Sequence, residues 1–145
     1  MQFDPDVALE SAMLLFWRKG YEATSLQDLL RATGLSKSSL YQTFGNKHAL
    51  FESSIARYRR DMVMAMRAML DDTDSGWSFI EQTFSGVADE TKGKYARRGC
   101  LVMNTASEFA QSDPVIARLV KQATKAFTDV FESAVTRAQR EGDIS

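Results

Sequence analysis

Only two of the 145 residues are proline, Pro5 and Pro114, and each follows an aspartate. That pairing starts helices: the carboxylate accepts otherwise unpaired backbone N–H groups, and proline at the first helical position gives up an N–H that would have no partner anyway. Between these starts the chain is dominated by Ala, Leu, Met, Arg, Lys, Glu and Gln, with eight glycines as the other interruptions. Those are good helix formers, so the chain is expected to be all-α.

The local signals divide it into about seven helices. The first runs from Asp4-Pro5 to Lys19-Gly20 and buries Leu9, Ala12, Met13 and Phe16 at the 3.6-residue period. Ser25 caps a short second helix, answered by Asp28 three residues on, with Leu26, Leu29 and Leu30 as its apolar face. Thr33-Gly34-Leu35-Ser36 then combines a glycine tolerant of left-handed backbone, an apolar plug and a new capping serine. A third helix follows from about Lys37 to Phe44. Gly45-Asn46 breaks it, and Asn46 caps a fourth of roughly 24 residues, or ~36 Å at 1.5 Å per residue, with Phe51, Ile55, Tyr58, Met62, Met66 and Met69 as its apolar positions. Past the acidic turn 71–76, Trp77, Ile80, Phe84 and Val87 define the stripe of a fifth helix. After the polar link 91–94 a sixth is expected over roughly Gly99 to Ala110. The seventh follows Asp113-Pro114, with Ile116, Leu119, Ala123, Phe127, Val130 and Ala134 inward and Gly142 as its stop.

This pattern gives a three-helix helix-turn-helix head over 1–46 and an orthogonal helical-bundle body over 47–145, joined by a connecting helix over about 47–70. The longest apolar runs, such as Met13 to Trp17, fall far short of the ~18 residues of a membrane span, and the start carries Asp4 and Asp6 where a signal peptide is basic. No membrane association is expected. One cysteine, Cys100, excludes an intramolecular disulfide, and with a single histidine, His48, it leaves too few ligands for structural zinc. These counts fit a reducing cytoplasm, no metal and no cofactor, and they leave no nucleophile–base constellation for an enzyme.

The net charge of -1 conceals a division. From Trp17 to Arg60 eight basic residues face three acidic ones, a net +5, whereas the rest beyond Arg60 nets -3. A basic head on an acidic body suits phosphate binding. In a helix-turn-helix the second helix enters the major groove. Here its start carries Ser36, Lys37, Ser38 and Ser39, where backbone N–H groups and the positive dipole end favour phosphate oxygens. Leu40 and Phe44 should face inward, leaving Lys37, Ser38, Tyr41 and Gln42 outward as groups suited to base edges and phosphates.

The run from Thr24 to Leu30, then Thr33 to Phe44, then Asn46-Lys47 and Ala49-Leu50-Phe51, resembles the DNA-binding head of the tetracycline-repressor (TetR) family, in register over about 45 residues. The resemblance implies that Ser25 and Lys47 clamp phosphates, that Tyr41 contacts backbone or base, and that Lys37, Ser38 and Gln42 read or border the bases. His48, Arg57, Arg59 and Arg60 are expected on solvated helix faces. The stretch Arg98-Gly99-Cys100-Leu101-Val102-Met103-Asn104, followed by Glu108-Phe109 and Asp113-Pro114, resembles the sixth and seventh helices of a subgroup that includes electrophile- and oxidant-sensing repressors. Near a helix start and beside Arg97 and Arg98, Cys100 is placed where a thiolate is favoured; the other reading is a small buried residue.

The resemblance further implies a repressor released from double-stranded palindromic operator DNA by a small apolar or electrophilic effector. Met62, Met66, Trp77, Phe84, Cys100, Met103, Phe127 and Phe131 are the candidate pocket residues. Family members are longer, and their last two helices build a homodimer interface, so the chain is expected to lack those C-terminal helices. The alternative function is a helical ligand- or redox-sensing module that no longer binds DNA.

Overall fold

The computed structural model describes residues 3–89, 98–109 and 112–145. Among them there are seven helices and no strand: α1 (Pro5–Lys19), α2 (Leu26–Thr33), α3 (Lys37–Phe44), α4 (Lys47–Asp72), α5 (Gly76–Asp89), α6 (Leu101–Phe109) and α7 (Pro114–Arg140). The all-α expectation therefore holds. The polar link 91–94, Arg97 and the expected end of the sixth helix at Ala110 lie outside the described residues.

The helix starts form for the reasons the sequence suggests. The Asp4 carboxylate accepts the N–H of Asp6 at 2.9 Å, and that of Asp113 accepts those of Val115 and Ile116 at 3.0 and 3.2 Å. Ser25 and Asp28 complete a reciprocal box: the serine oxygen accepts from the Asp28 N–H at 3.0 Å and the carboxylate from the Ser25 N–H at 3.0 Å. Gly34 ends α2 at φ 72°, a left-handed conformation that costs a side chain-bearing residue far more than glycine.

Contacts divide the chain into two units, residues 1–58 with 100–121 and residues 59–99 with 122–145. The helices α4 and α7 each run through both. In the first unit Phe16, Leu29, Leu40, Leu50, Phe51, Ile55, Leu101, Val102 and Ile116 are buried almost completely. In α1 the buried face includes Ala8 and Leu15 beside Ala12, Met13 and Phe16, while Leu9 is only half-buried at its edge. Four rings knit the centre together: Phe16 meets Phe51 edge-on at 4.9 Å, and Tyr21 lies 4.9 Å from Phe51 and 5.3 Å from Phe109. Such pairs add to the burial of apolar area itself.

Two residues expected on solvated faces are instead ties within this unit. Arg57 is mostly buried, and its guanidinium donates to the Asp6 carbonyl at 3.2 Å. His48 stands between two carboxylates, with Nε2 2.7 Å from Asp113 Oδ2 and Nδ1 3.1 Å from Glu52 Oε2. Both ring nitrogens face acceptors, so the arrangement is satisfied fully only by the doubly protonated ring. The Asp113 hydrogen bond, with Glu52 in support and burial opposing, raises the His48 pKa, and the same hydrogen bond lowers that of Asp113.

The second unit has its own core of Leu70, Phe79, Val130 and Ala134, with Val63, Met66, Met69, Ile80 and Phe131 packed against it. Here the expected stripe of α5 is wrong. Phe79 is the buried residue, whereas Trp77, Phe84 and Val87 are 42%, 68% and 60% exposed. The helix carries two apolar faces that share Ile80, and the choice between them is made at Gly76. A Cβ on this residue would lie 2.3 Å from the Ala134 carbonyl oxygen and 2.7 Å from the Ala138 nitrogen. Only glycine lets α5 start so close to the α7 backbone, and that approach turns Phe79 inward.

The open ends of α4 and α5 are closed by the last turn of α7 and by Glu141, which follows it. The Arg137 guanidinium donates to the carbonyls of Leu70 at 2.7 Å and Thr73 at 3.0 Å, and its Nε lies 3.3 Å from Glu141 Oε1. That same carboxylate oxygen accepts the Gly76 N–H at 2.9 Å. Helix termini that lack intrahelical partners are thus met by side chains of opposite charge to the local dipole.

Two outcomes are expected. Gly76→Ala should destabilise the chain by about 1–3 kcal/mol through overpacking, more than the ~1 kcal/mol that alanine's helix propensity returns; thermal unfolding followed by circular dichroism measures the difference. For His48, a raised folded-state pKa means its contribution is whole below its unfolded value of 6.5 and disappears as pH rises through the folded value. The lowered Asp113 value adds stability above 3.8 that is lost in acid. The melting-temperature advantage over His48→Gln should therefore be largest between these limits and shrink on going to alkaline pH; an advantage independent of pH contradicts the charged tie.

Candidate nucleic-acid interface

The head is built around two completely buried leucines, Leu29 of α2 and Leu40 of α3. With Leu40 facing inward and Phe44 half-buried, Lys37, Ser38, Tyr41 and Gln42 are left exposed on the outer side of α3, as expected from their spacing. Lys37 Nζ lies 5.8 Å from the Tyr41 ring centroid, so the two largest of these side chains lie together. The sequence places a positive charge, an aromatic hydroxyl and an amide on one face.

The serines divide by role. Ser36 caps α3, accepting the Ser39 N–H at 3.1 Å, and its hydroxyl donates to Ser39 Oγ at 3.0 Å. Ser25 accepts within the α2 capping box and still has a hydroxyl proton to donate outward. Ser38 is exposed. At the next helix start, Asn46 Oδ1 accepts the Ala49 N–H at 2.8 Å, and half-buried Lys47 sets its Nζ 4.2 Å from the centre of the Tyr21 ring.

The head's charge is partly internal. Asp28 accepts from Lys19 Nζ at 2.8 Å and has Arg31 at 3.9 Å. The Lys19 hydrogen bond, with the bonds from Ser25, holds that carboxyl well below the usual carboxylate range. The Lys19–Asp28 pair closes α1 on α2, and its two charges already cancel within the net +5.

Three contributors were not legible as site residues. Glu108 of α6 accepts the N–H of Tyr21 on Oε1 and of Glu22 on Oε2, both at 2.9 Å, and so pins the α1–α2 turn. These partners are separated by 87 and 86 residues, and no local pattern announces them. Tyr21 carries no signal beyond its aromaticity. His48 had one, since Glu52 follows at the helical spacing of four.

The candidate pocket residues are distributed over both units. Cys100 and Met103 belong to the first and the other six to the second. Met66 and Phe131 pack on the second core, with Phe131 5.7 Å from Phe79, and Met62 and Phe127 are half-buried. Trp77, Phe84 and Met103 are exposed. Cys100 immediately precedes α6, is half-buried, and has the Tyr58 hydroxyl 3.5 Å from its sulfur.

Comparisons with known proteins agree with this geometry. The family model for bacterial regulatory proteins of the tetR family matches residues 8–53, and that for a tetracyclin repressor-like C-terminal domain matches residues 77–145. The chain is 31% identical over 144 residues to the uncharacterized HTH-type transcriptional regulator YezE of Bacillus subtilis, spanning 99% of this chain and 74% of that protein. It is 33% identical over 143 residues to the HTH-type transcriptional repressor ComR of Escherichia coli, spanning 98% and 68%. Among solved structures, a cysteine mutant of the TetR family regulator CifR complexed with 26bp double-strand operator DNA superposes with a TM-score of 0.77 at 27% identity, covering 100% of this chain and 76% of that one. The helix-turn-helix with its polar outer face, the two family matches and these relatives together establish that the chain belongs to the TetR family and is a DNA-binding transcriptional regulator, not an enzyme.

Proposed function

We propose that this regulator is a cytoplasmic repressor that binds a palindromic operator as a homodimer, with α3 in the major groove of each half-site. The observation that carries the reading is the outer face of α3, where Lys37, Ser38, Tyr41 and Gln42 are exposed while Leu40 anchors the helix from behind. Lysine suits guanine acceptors, glutamine can pair bidentately with adenine, and tyrosine can reach a phosphate or a thymine methyl. Ser25 and Lys47 take phosphates on either side, with Ser36 and Ser39 shaping the helix start between them. The repressor ComR and the operator complex of CifR support the direction of regulation and the partner. Half-sites one helical turn apart, about 34 Å, match such a dimer.

The body is the sensor in this reading. A small apolar effector is taken up in the second unit against Met62, Met66, Phe127 and Phe131, adaptable side chains suited to an irregular ligand, with Trp77 and Phe84 completing the proposed set there. Similarity of the Gly99-Cys100-Leu101 stretch to the electrophile-responsive subgroup adds electrophiles to the effectors worth testing. Binding shifts α4, which carries Lys47 at its first turn, and DNA affinity falls. Linkage requires DNA to weaken the effector by the same factor.

Selection of bound duplexes from a random pool, followed by anisotropy titration at several salt concentrations, tests the reading. A palindromic consensus and a steep fall of affinity with salt are expected. Gln42→Ala should cost about 1–3 kcal/mol of discrimination at one base position in each half-site and leave the salt slope unchanged. Affinity insensitive to salt, with no enriched sequence, points instead to a sensor module that has lost its DNA.

A further inference from the structure

The ammonium of Lys47 is 4.2 Å from the Tyr21 ring centroid, a cation–π distance. That ring is unusually well fixed for a residue in a turn. Its faces and edges meet Phe16 at 6.0 Å, Phe51 at 4.9 Å and Phe109 at 5.3 Å, and the imidazole of His48 at 6.2 Å. Its backbone N–H and that of Glu22 are held by the two oxygens of Glu108. Lysine is a flexible side chain with a compact charge, and much of its value as a phosphate contact depends on where the charge waits before DNA arrives.

We propose that Tyr21 is a positioning residue for DNA binding: its ring, clasped from α6 by Glu108, holds the Lys47 ammonium in place for a backbone phosphate. One side of the ammonium rests on the ring, and its N–H donors beyond that side serve a phosphate oxygen. The arrangement also decides among competing partners. Glu22, Glu108 and Asp113 all act on Tyr21 electrostatically, so carboxylates surround this turn. Glu108 is occupied by two backbone donors and Asp113 by His48 and the α7 start. Glu108 and Asp113 are thus engaged elsewhere, and the ring seats the ammonium at 4.2 Å. The proposal rests on the reading of Lys47 as a phosphate contact, and it adds a route by which α6 influences that contact without touching DNA.

The test uses the whole chain and a labelled duplex recovered from the random-pool selection, titrated across a salt series. Lys47→Met examines the underlying reading alone: the slope of log affinity against log salt should fall by about one for a lost phosphate contact. Tyr21→Leu should weaken binding about two- to fivefold, the scale of an exposed cation–π contact, and should lose part of the same slope. Tyr21→Phe, which keeps the ring, should restore both. In the Lys47→Met background Tyr21→Leu should add nothing. Carbon–proton NMR of the free chain supplies a direct signature, because ring current should shift the Lys47 ε-protons upfield in the parent and in Tyr21→Phe but not in Tyr21→Leu.

Each result decides. A slope unchanged in Lys47→Met overturns the phosphate reading and the positioning role with it. A lowered slope there, with equal weakening by Tyr21→Leu in both backgrounds, leaves the phosphate contact standing and reduces Tyr21 to a packing residue. Tighter binding by Tyr21→Leu means that the ring sequesters the lysine and overturns the proposal as well. If Tyr21→Leu fails to fold, Tyr21→Met, which fills the ring cluster without a π face, takes its place in every comparison.

Discussion

A turn between helices presents backbone N–H groups that must find acceptors, and in this chain the turn after α1 finds them on a helix far along the sequence. One carboxylate, Glu108, accepts from Tyr21 and Glu22 at equal distances. Two donors on two oxygens fix orientation as well as position, which a single hydrogen bond cannot do. Around that fixed turn the rings of Phe16, Tyr21, Phe51 and Phe109 close, with Phe51 and Phe109 stacked at 5.5 Å. The first unit is therefore an N-terminal three-helix head completed by α6 and the start of α7, and the head's geometry is not a property of the first 46 residues alone.

The same logic organises the second unit with the signs reversed. There a cation, Arg137, meets the carbonyls at the end of α4, and its partner Glu141 meets the N–H that begins α5. In both units a later helix supplies charge to the ends of earlier ones. The helices α4 and α7 each contribute residues to both units.

How much of this was legible depends on the range of each interaction. The starts at Asp4-Pro5, Ser25, Ser36, Asn46 and Asp113-Pro114 were readable because a cap and the N–H it serves lie within three residues. The outer face of α3 followed from Leu40 by periodicity alone. By contrast Glu108, Arg137 and Asp113 act on groups more than sixty residues away, and His48 and Arg57 looked like surface charges because their partners arrive from other helices. The misassigned face of α5 has a related cause. Hydrophobic periodicity ranked Trp77, Phe84 and Val87 above Gly76, but the smallest residue set the crossing with α7 and hence the rotation.

The composition of α3 shows why reading and folding can coexist in eight residues. Ser38, Ser39, Tyr41, Thr43 and Phe44 are mediocre helix formers, and a helix this short is marginal on its own in water. It persists because Ser36 caps one end, the Gly45 N–H closes the other on the Tyr41 carbonyl at 2.9 Å, and Leu40 is buried completely. None of those three devices uses Lys37, Ser38 or Gln42. Residues that hold the helix and residues on its exposed outer face are thus largely separate sets, so the outer side chains can change with little cost to the fold. Lys47 is less free to change, because its ammonium rests 4.2 Å from the ring of Tyr21 in the same turn that Glu108 holds.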